Sequence, residues 1–453
     1  MTNNYSLLMF VLVALAMLAG YPVAFTLAGV GILCAAIGTL LHAFDWHLLQ
    51  ALPSRLYGII TNPTLMAVPL FVFMGVMLEK ARIAEDLLSA LVGRSKQTGL
   101  AIILIGSLLA ASTGIVGATV VTLGLIGLPA LLKRGYPTAL AAGTVCATGT
   151  LGQIIPPSIA LVLLADVLSN AYQQAQLDQG LFSLQTLSVG DLFVGAIGPG
   201  ILLVLLYCIY VFFSSKFTVN LPMAPSSATD QPLNRPTSWS AIWPPLSLIV
   251  LVLGSILAGL ATPTEAAGLG AFGATVIALI KGRVNRTLLV STCQDTATTT
   301  SMIFMILIGA SIFSLVFRGF GGDDTLFHLL QQLPGGVISA TAIVMLLIFL
   351  LGFILDFIEI TFIVVPIVGP ILLMMGLDPV WLGVMIAINL QTSFLTPPFG
   401  FALFYLRGVM PDEITTQALY KGVAPFIVLQ ILVMIILCFW PALATWLPSQ
   451  IYG

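Results

Sequence analysis

Charged side chains are scarce in this sequence. Only 7% of its 453 residues are Asp, Glu, Lys or Arg, and the net charge is −2. A soluble domain carries about 25% charged residues, so most of this protein's surface is expected to face lipid. A nucleic-acid partner is also disfavoured, because binding to phosphates needs a positively charged face.

Enzyme motifs are absent as well. The chain has three histidines and contains no Gly-x-Ser-x-Gly elbow, no Walker loop and no His-Glu-x-x-His, so neither hydrolytic nor nucleotide-driven chemistry is indicated. Its five cysteines have no Cys-x-x-Cys spacing and are interpreted as small apolar residues. The first apolar stretch, 5–20, is not preceded by Lys or Arg and is predicted to be a membrane span rather than a cleaved signal.

What the sequence does contain is a long-range repeat. A constant shift of 241 residues relates five landmarks: Pro22 and Pro263, Gly29 and Gly270, Pro129 and Pro370, Gly135 and Gly376, and Pro156-Pro157 and Pro397-Pro398. In a chain that is 59% apolar, this pattern predicts an all-α membrane protein built from two copies of one unit, an arrangement typical of transporters. The copies are 1–213 and 241–453, joined by a linker at 214–240 that is rich in Pro, Ser and Thr.

Each half is predicted to hold five spans and one re-entrant hairpin. The spans are expected near 5–20, 22–41, 56–78, 137–170 and 190–213, and near 241–260, 264–280, 290–317, 379–407 and 423–447. The apolar segments 99–132 and 337–374 are too long for one crossing of about 20 residues and somewhat short for two. We therefore expect each of them to enter and leave the membrane on one side.

Basic residues predict the orientation of the halves. Lys80, Arg82, Arg94 and Lys96 precede the first hairpin and Lys133-Arg134 follow it, which places both of its ends in the cytoplasm. In the second half the bias is opposite, because a basic cluster at 281–286 follows span 264–280, whereas the equivalent loop 42–52 has no Lys or Arg. This predicts an inverted repeat with a cytoplasmic linker and both termini in the periplasm.

The two Pro-Pro pairs predict broken helices. Segment 149–158 lies in the middle of span 137–170, and segment 389–400 lies in span 379–407. Consecutive prolines remove two backbone donors and open the helix, which is tolerated at membrane depth only inside protein or beside a cavity. Freed carbonyls and nearby hydroxyls are predicted to bind a cation such as Na+; the alternative is a kink that only bends each helix.

The hairpin tips are expected to lie opposite these breaks. The first, 112–119, is made of small and hydroxyl residues, for which close helix packing is the alternative explanation. The second, 352–361, contains Asp356 and Glu359 in an otherwise uncharged stretch. Carboxylates are costly in lipid, which indicates a functional role; the alternative is that one caps a half-helix and the other reaches an aqueous vestibule.

Five segments carry a resemblance to a known family: 69–75, 129–136, 151–158 (Leu-Gly-Gln-Ile-Ile-Pro-Pro-Ser), 263–267 (Pro-Thr-Glu-Ala-Ala) and 389–400. With them the chain resembles, over nearly its whole length, the large membrane (M) subunit of tripartite ATP-independent periplasmic (TRAP) transporters. The resemblance implies an elevator-type, Na+-driven importer of organic acids in the bacterial inner membrane. It also implies two partners, a small four-helix membrane subunit and a periplasmic substrate-binding protein.

Residue patterns and the resemblance together predict the site. The expected Na+ site residues are Ser112, Thr113, Gly114, Thr119, Gly149, Gly152, Pro156, Ser158, Gly352, Asp356, Asn389, Thr392, Thr396 and Gly400. The expected substrate contacts are Pro157, Glu359, Gln391, Pro397 and Pro398. Two departures from the family pattern are Ile115-Val116, where serines are common, and the additional polar groups Glu359 and Gln391.

Two other functions are compatible with the sequence. One is a stand-alone Na+/carboxylate symporter that needs no binding protein. The other is a structural membrane subunit that transports nothing and whose helix breaks only fit it to partner helices.

Overall fold

A computed structural model describes residues 5–83, 85–87, 97–114, 116–218 and 242–452. Throughout these residues the regular secondary structure is helical. Ile115, Arg94, Lys96 and positions 219–240 of the expected linker lie outside the described residues. The all-helical, multi-span architecture expected from composition is confirmed.

Ten α-helices are described in the first half. They are α1 Tyr5–Leu18, α2 Val23–Leu40, α3 Leu52–Ile60, α4 Ala67–Lys80, α5 Thr98–Thr113, α6 Val116–Thr122, α7 Leu128–Lys133, α8 Thr138–Thr150, α9 Ile159–Asp178 and α10 Val189–Thr218. A π-helical turn at Leu123–Gly127 joins α6 to α7, and a 3-10 turn at Leu151–Gln153 continues α8. Helices α5 to α7 thus occupy the predicted first hairpin, while α8 and α9 form the first broken helix.

Eleven α-helices are described in the second half. They are α11 Trp243–Leu257, α12 Pro263–Ile280, α13 Arg286–Gly319, α14 Gly322–Gln331, α15 Gly336–Leu351, α16 Phe357–Ile363, α17 Val365–Met374, α18 Pro379–Leu395, α19 Phe401–Arg407, α20 Thr416–Phe439 and α21 Ala442–Ile451. Helices α15 to α17 occupy the second hairpin, and α18 and α19 form the second broken helix. Helices α16 and α17 meet at an angle of 56°.

The shift of 241 residues is visible in the helix bounds. Added to the bounds of α6, Val116–Thr122, it gives those of α16, Phe357–Ile363. Added to the first residue of α8, Thr138, it gives the first residue of α18, Pro379. The halves differ at α3 and α4, because the corresponding part of the second half is the single helix α13, Arg286–Gly319. A helix of this length reaches about 50 Å.

Four predicted spans have wrong limits. The span at 190–213 continues to Thr218, so the expected linker cannot begin at 214. The span at 56–78 is divided at 61–66, because Pro63 interrupts it and the Asn62 side chain accepts the amides of Thr64 and Leu65. The broken helix predicted to end at 170 continues to Asp178, because no glycine or proline stops it before Gly180. The last span runs over Thr416–Phe439 instead of 423–447, since Thr415 caps its start.

The helices form two packed groups. In one, α2 packs on α13, α4 on α12 and α13, and α11 on α12. In the other, the hairpin helices pack on the broken helices: α5 on α8, α17 on α9, and α15 on α18. Small residues allow the closest crossings, as membrane helices require; a Cβ at Gly309 would overlap the Ala24 carbonyl oxygen.

Six helices in the described part of the chain are long and apolar enough to cross a bilayer, or seven if the bent pair α16–α17 counts as one span. Five shorter apolar helices, including α5 and α15 of the hairpins and α18 of the second broken helix, accompany them. The chain is therefore a multi-pass membrane protein.

Candidate functional site

The first hairpin tip is an uncharged turn closed by glycine and hydroxyl groups. Helix α5 ends at Gly114, which adopts a left-handed conformation with φ +63°, a conformation that suits glycine because it lacks a Cβ. Thr113 donates its hydroxyl to the Leu109 carbonyl at 3.0 Å. Its oxygen also lies 2.8 Å from the hydroxyl of Thr119 on α6, so the two hydroxyls link both arms of the tip.

The first break lies deep in the protein. Pro156, Pro157 and Ser158 are all buried, and the prolines deprive the Gly152 and Gln153 carbonyls of their usual donors four residues later. The Ser158 hydroxyl replaces one of these donors, since it donates to the Gln153 carbonyl at 3.0 Å. Backbone opened by proline is thus kept inside protein, as the cost of unsatisfied groups in lipid requires.

Close contacts join the first tip to the first break and to α4. A Cβ at Gly152 would lie 3.1 Å from the Ala110 carbonyl oxygen of α5, and one at Gly114 would lie 3.3 Å from Ile159, the first residue of α9. On the other side, a Cβ at Gly75 of α4 would lie 2.5 Å from the Thr113 carbonyl oxygen. The tip is therefore held between the broken helix and α4.

Two carboxylates close the second tip. The Asp356 carboxylate accepts the Phe357 amide at 2.7 Å, and the Glu359 carboxylate accepts the Asp356 amide at 2.9 Å. This is a capping box at the start of α16, in which the free amides of a helix N-terminus are satisfied reciprocally. Both acids therefore act as helix caps. Capping does not exclude cation binding, because each carboxylate has about four lone-pair sites and keeps acceptors for a cation.

The second break is tied to the second hairpin and is less buried than the first. Asn389 donates to the Met345 carbonyl of α15 at 2.7 Å, and a Cβ at Gly352 would overlap the Ser393 hydroxyl oxygen. Thr396, after the last residue of α18, donates to the Thr392 carbonyl at 2.7 Å. After Thr396 the burial decreases, and Pro398 is exposed.

A polar contact joins the two breaks at the centre of the protein. Gln391 donates to the Thr150 hydroxyl at 3.4 Å, a weak bond between residues that are 241 positions apart. Gln430 donates to the Tyr207 hydroxyl beside it at 2.8 Å. Gln391 is fully buried and connects the two halves; its contact with substrate stays a prediction.

Tyr405 of α19 was missed by the sequence analysis. A Cβ at Gly117 of the first tip would lie 3.0 Å from its ring, and the charge of Asp356 in the second tip acts on its hydroxyl. The side chain is 42% exposed. Tyr405 therefore packs on the first tip within electrostatic range of the second, and its position just after the second break was the only available signal.

The predicted Na+ site residues gather at the two tips and breaks, each beside the hairpin or broken helix of its own half. The donor set suits a hard cation such as Na+, because it consists of carbonyl, hydroxyl and carboxylate oxygens. Two observations support this fit. The Gln153 side-chain oxygen and the Thr361 hydroxyl are buried near the break and tip, respectively, without a hydrogen bond among the described residues. No cluster of three or more His, Cys, Asp or Glu occurs in the part of the chain that the structure describes.

Fold and site together define a membrane protein with paired hairpins and broken helices. Two solved transporters share this fold: Alcanivorax borkumensis YdaH, with a TM-score of 0.65 and 15% identity over 97% of this chain and 98% of that one, and Neisseria gonorrhoeae MtrF, with a TM-score of 0.60 and 13% identity over 87% and 83%. At these identities the likeness concerns the fold alone.

Sequence comparison gives the family. The profile described as "Tripartite ATP-independent periplasmic transporter, DctM component" matches residues 9–443. The chain is also similar to the C4-dicarboxylate TRAP transporter large permease protein DctM of Vibrio cholerae, with 29% identity over 98% of both chains. Its counterpart in Pseudomonas aeruginosa is 30% identical over 88% of this chain and 90% of that one. The chain belongs to the family of TRAP transporter DctM components, the large membrane permeases of these systems.

Proposed function

We propose that this permease imports a small organic anion together with Na+, after a periplasmic substrate-binding protein has delivered the anion. The carrying observation is that each hairpin tip packs on the broken helix of its own half, where carbonyl and hydroxyl oxygens converge. Broken helices of this kind bind coupling ions in other secondary transporters.

A link between ion and substrate follows from the position of the tips. A tip that contacts a cation on its broken helix stays closer to that helix, so bound Na+ biases the space between the tips toward one conformation. Tyr405 lies beside this space, since it packs on the first tip within electrostatic range of the second. We propose that substrate is held there, beside Pro397 and the exposed Pro398. Pro157 and Glu359 would support this site without touching the substrate.

The two packed groups of helices support an elevator motion. We propose that the group containing the hairpins and broken helices moves across the membrane while the group of α2, α4, α11, α12 and α13 stays fixed. The halves would then be related by inversion, with the termini in the periplasm, as the distribution of Lys and Arg predicts.

The substrate class is proposed from the relatives. Their names specify C4-dicarboxylates for the Vibrio cholerae and Pseudomonas aeruginosa proteins and sialic acid for another Vibrio cholerae permease. Another relative, from Oleidesulfovibrio alaskensis, is named for isethionate, which is a sulfonate. All of these are organic anions, and we propose a small carboxylate, the group that most of these names share, as the cargo. A small four-helix membrane subunit and a periplasmic binding protein would complete the three-part system.

Reconstitution tests the proposal. The full chain, its small membrane subunit and its binding protein are placed in proteoliposomes, and uptake of radiolabelled succinate and sialic acid is measured under an inward Na+ gradient. We expect uptake of a carboxylate that stops when K+ replaces Na+ outside. Uptake that is unaffected by this replacement would refute coupling to Na+.

Omitting one component separates the alternatives. Uptake that persists at full rate without the binding protein would favour a stand-alone symporter. No flux of either acid, combined with a thermal unfolding midpoint that Na+ does not change, would favour the structural-subunit hypothesis.

A further inference from the structure

A partly open polar cavity lies away from the tips, between the two groups of helices. Its volume is about 580 Å³, and its walls come from α3, α9, α13 and the bend between α16 and α17. Two arginines, Arg55 and Arg318, line it together with Ser311, Ser314, Asn62 and Asp166. Neither arginine belongs to the ion sites described above.

Two helices present polar stripes to this cavity. Ser311, Ser314 and Arg318 are spaced three and four residues apart on α13, so they share one helix face. Arg55 of α3 and Asn62, which follows that helix, are spaced seven apart. Two polar stripes that face one cavity from separate helices are costly in a protein this apolar, which argues for a ligand.

The two guanidinium groups differ in their partners. Arg318 Nε lies 3.2 Å from the Asp323 carboxylate, but neither Nε nor the other Asp323 oxygen makes a hydrogen bond among the described residues. Arg55 is half-buried and, within the described part of the chain, makes no hydrogen bond or ion pair; Arg318 and Asp323 act on it only through their charges. Asp178 and Asp324 act on Asp323 in the same way. Arg55 therefore has donors available for an anion.

A contact between the two helix groups is part of the cavity lining. Asn62 donates to the Asp166 carboxylate of α9 at 2.8 Å, and both residues line the cavity. Asp166 is the one carboxylate among the described lining residues, and an amide engages it.

The sequence distribution of positive charge sets these two arginines apart from the others. Of the fifteen Lys and Arg residues, all except Arg55 and Arg318 fall on segments that the proposed topology assigns to the cytoplasm. That side retains Lys and Arg during insertion, whereas the other side disfavours them. The two exceptions line the same cavity, so a function on the outer face is indicated.

We propose that this outer cavity receives the carboxylate of the transported acid, with Arg55 and Arg318 as its donors, before the acid passes to the space between the tips. The inference rests on the proposed direction of import and deepens it by naming the chemistry of entry. Arginine suits this role, because its planar group binds a carboxylate through two parallel hydrogen bonds. Asp323 now holds Arg318 as an internal carboxylate, and the incoming anion displaces it.

Thiol chemistry tests the charge of the cavity without transport. Ser314→Cys is introduced after Cys208, Cys293 and Cys438 have been replaced by Ser, in the full chain with its small membrane subunit. The introduced thiol reacts with two methanethiosulfonate reagents, one carrying an anionic sulfonate and one a cationic trimethylammonium group, and the two rates are compared. We expect Arg55→Gln to lower the anionic-to-cationic rate ratio about fourfold, the effect of one charge at about 10 Å in a partly aqueous site, and Asp323→Asn to raise it.

Arg286→Gln is the matched control, because this exposed arginine begins the same helix at its other end; the ratio should not change. Succinate should slow the reaction of the introduced thiol with both reagents by occupying the cavity, and it should do so less with Arg55→Gln. The proposal would be overturned if neither Arg55→Gln nor Asp323→Asn changed the rate ratio. It would also be overturned if neither reagent reacted with the introduced thiol.

Uptake measurements separate this inference from the proposed function. Arg55→Gln should raise KM for the acid about tenfold, the cost of one hydrogen bond to a charged group, and leave the maximal rate and the Na+ dependence intact, with partial rescue by Arg55→Lys. If uptake by the unaltered protein did not depend on Na+, coupling would be refuted, but the thiol rate ratios would still support the outer cavity. An unchanged KM in a Na+-coupled protein would refute only the role of Arg55.

Discussion

The two tip-and-break pairs have the same architecture but satisfy their backbone in different ways. In the first pair Pro156 and Pro157 are buried, the tip carries no charge, and a serine hydroxyl replaces a missing amide donor. In the second pair Pro398 is exposed, and two carboxylates cap the half-helix that follows the tip.

This difference matters for how a cation is held. In the first pair water has little access, so a lost oxygen ligand leaves a buried gap. The second pair is more exposed, so we expect a water molecule, which is nearly as good a partner as a protein group, to replace a lost ligand there more readily. We therefore expect the first pair to determine Na+ affinity more strongly than the second.

The largest expected effect comes from the glycines that allow each tip to pack. Gly75→Ala would place a Cβ 2.5 Å from the Thr113 backbone oxygen, which cannot rotate away, and should destabilise the protein by about 2–3 kcal/mol. Gly352→Ala meets the Ser393 hydroxyl oxygen, which can rotate away, and the Ser393 Cβ at 2.8 Å, which cannot. The thermal unfolding midpoint in detergent should fall for both variants, and less for the second.

Two further variants complete this measurement. Ser393→Ala added to Gly352→Ala should restore the midpoint only in part, because it removes the hydroxyl and keeps the Cβ that lies 2.8 Å away. Gly29→Ala is the control, since nothing lies within 4 Å of its Cβ position. Equal losses from Gly75→Ala and Gly352→Ala would contradict the distinction between a fixed backbone contact and a movable side chain.

A smaller difference is expected between the hydroxyl ligands. Thr113→Val should weaken activation of uptake by Na+ about tenfold, within the range for losing one group that supports a metal site. Thr396→Val should weaken it only a fewfold, because this position is next to solvent. Thr275→Val, which removes an equivalent hydroxyl bond to the Ala271 carbonyl of α12, should leave the Na+ concentration for half-maximal uptake unchanged. A larger effect at Thr396 than at Thr113 would reverse the comparison.

Asp356 allows capping to be separated from ion binding. Asn caps helix N-termini about as well as Asp, so Asp356→Asn should keep the thermal midpoint, whereas Asp356→Ala should cost about 1 kcal/mol. Both variants remove the charge and should reduce Na+ affinity equally if the carboxylate contacts the ion. Normal Na+ dependence in Asp356→Asn would leave the Asp356 carboxylate with a capping role only.

The smallest effect concerns a contact that joins the halves far from both pairs. Asp86 accepts hydrogen bonds from Lys281 and Arg283 at 2.6 and 2.8 Å. Burial alone raises the pKa of this carboxyl, but these cationic partners outweigh it and hold the pKa below its usual range. A depressed pKa stabilises the folded state above the unfolded value, about 3.9, and this stabilisation is lost as pH falls through the folded value.

Asp86→Asn should therefore reduce the free energy of unfolding at pH 7 by less than about 1 kcal/mol, and the thermal midpoint should fall slightly. The difference from the unaltered protein should shrink as pH falls below about 4. Na+ dependence should be normal at pH 7, since neither pair contacts Asp86. A midpoint difference that persists at the lowest pH would show that the effect does not arise from the charge.

The sequence predicted the hairpin and broken-helix segments because proline, glycine and span length leave few other conformations for them. Helices begin or end within one residue of the predicted hairpin limits 99–132 and 337–374. The additional break at 61–66 was missed, since a single Pro63 is weak evidence and the Asn62 contacts that close it are local details of folding.

The chemistry of the site was less accessible from sequence. Capping by Asp356 and Glu359 was one of two interpretations that spacing alone could not separate. Nothing in the sequence indicated that Gln391 contacts Thr150, a pairing that depends on how two helices from different halves cross. Tyr405 packs on the first tip within electrostatic range of the second for the same reason: its neighbours come from distant segments of the chain.

The contact between Thr150 and Gln391 has a consequence for how such a chain could diversify. In the proposed inverted repeat, residues at equivalent positions that touch each other lie on the axis that would relate the two units. In a dimer of identical subunits such a position always meets its own kind, so threonine would face threonine and glutamine would face glutamine. Covalent fusion removes that restriction: a single substitution then changes one side of the axis only, and an amide donor can be matched to a hydroxyl acceptor at the heart of the protein.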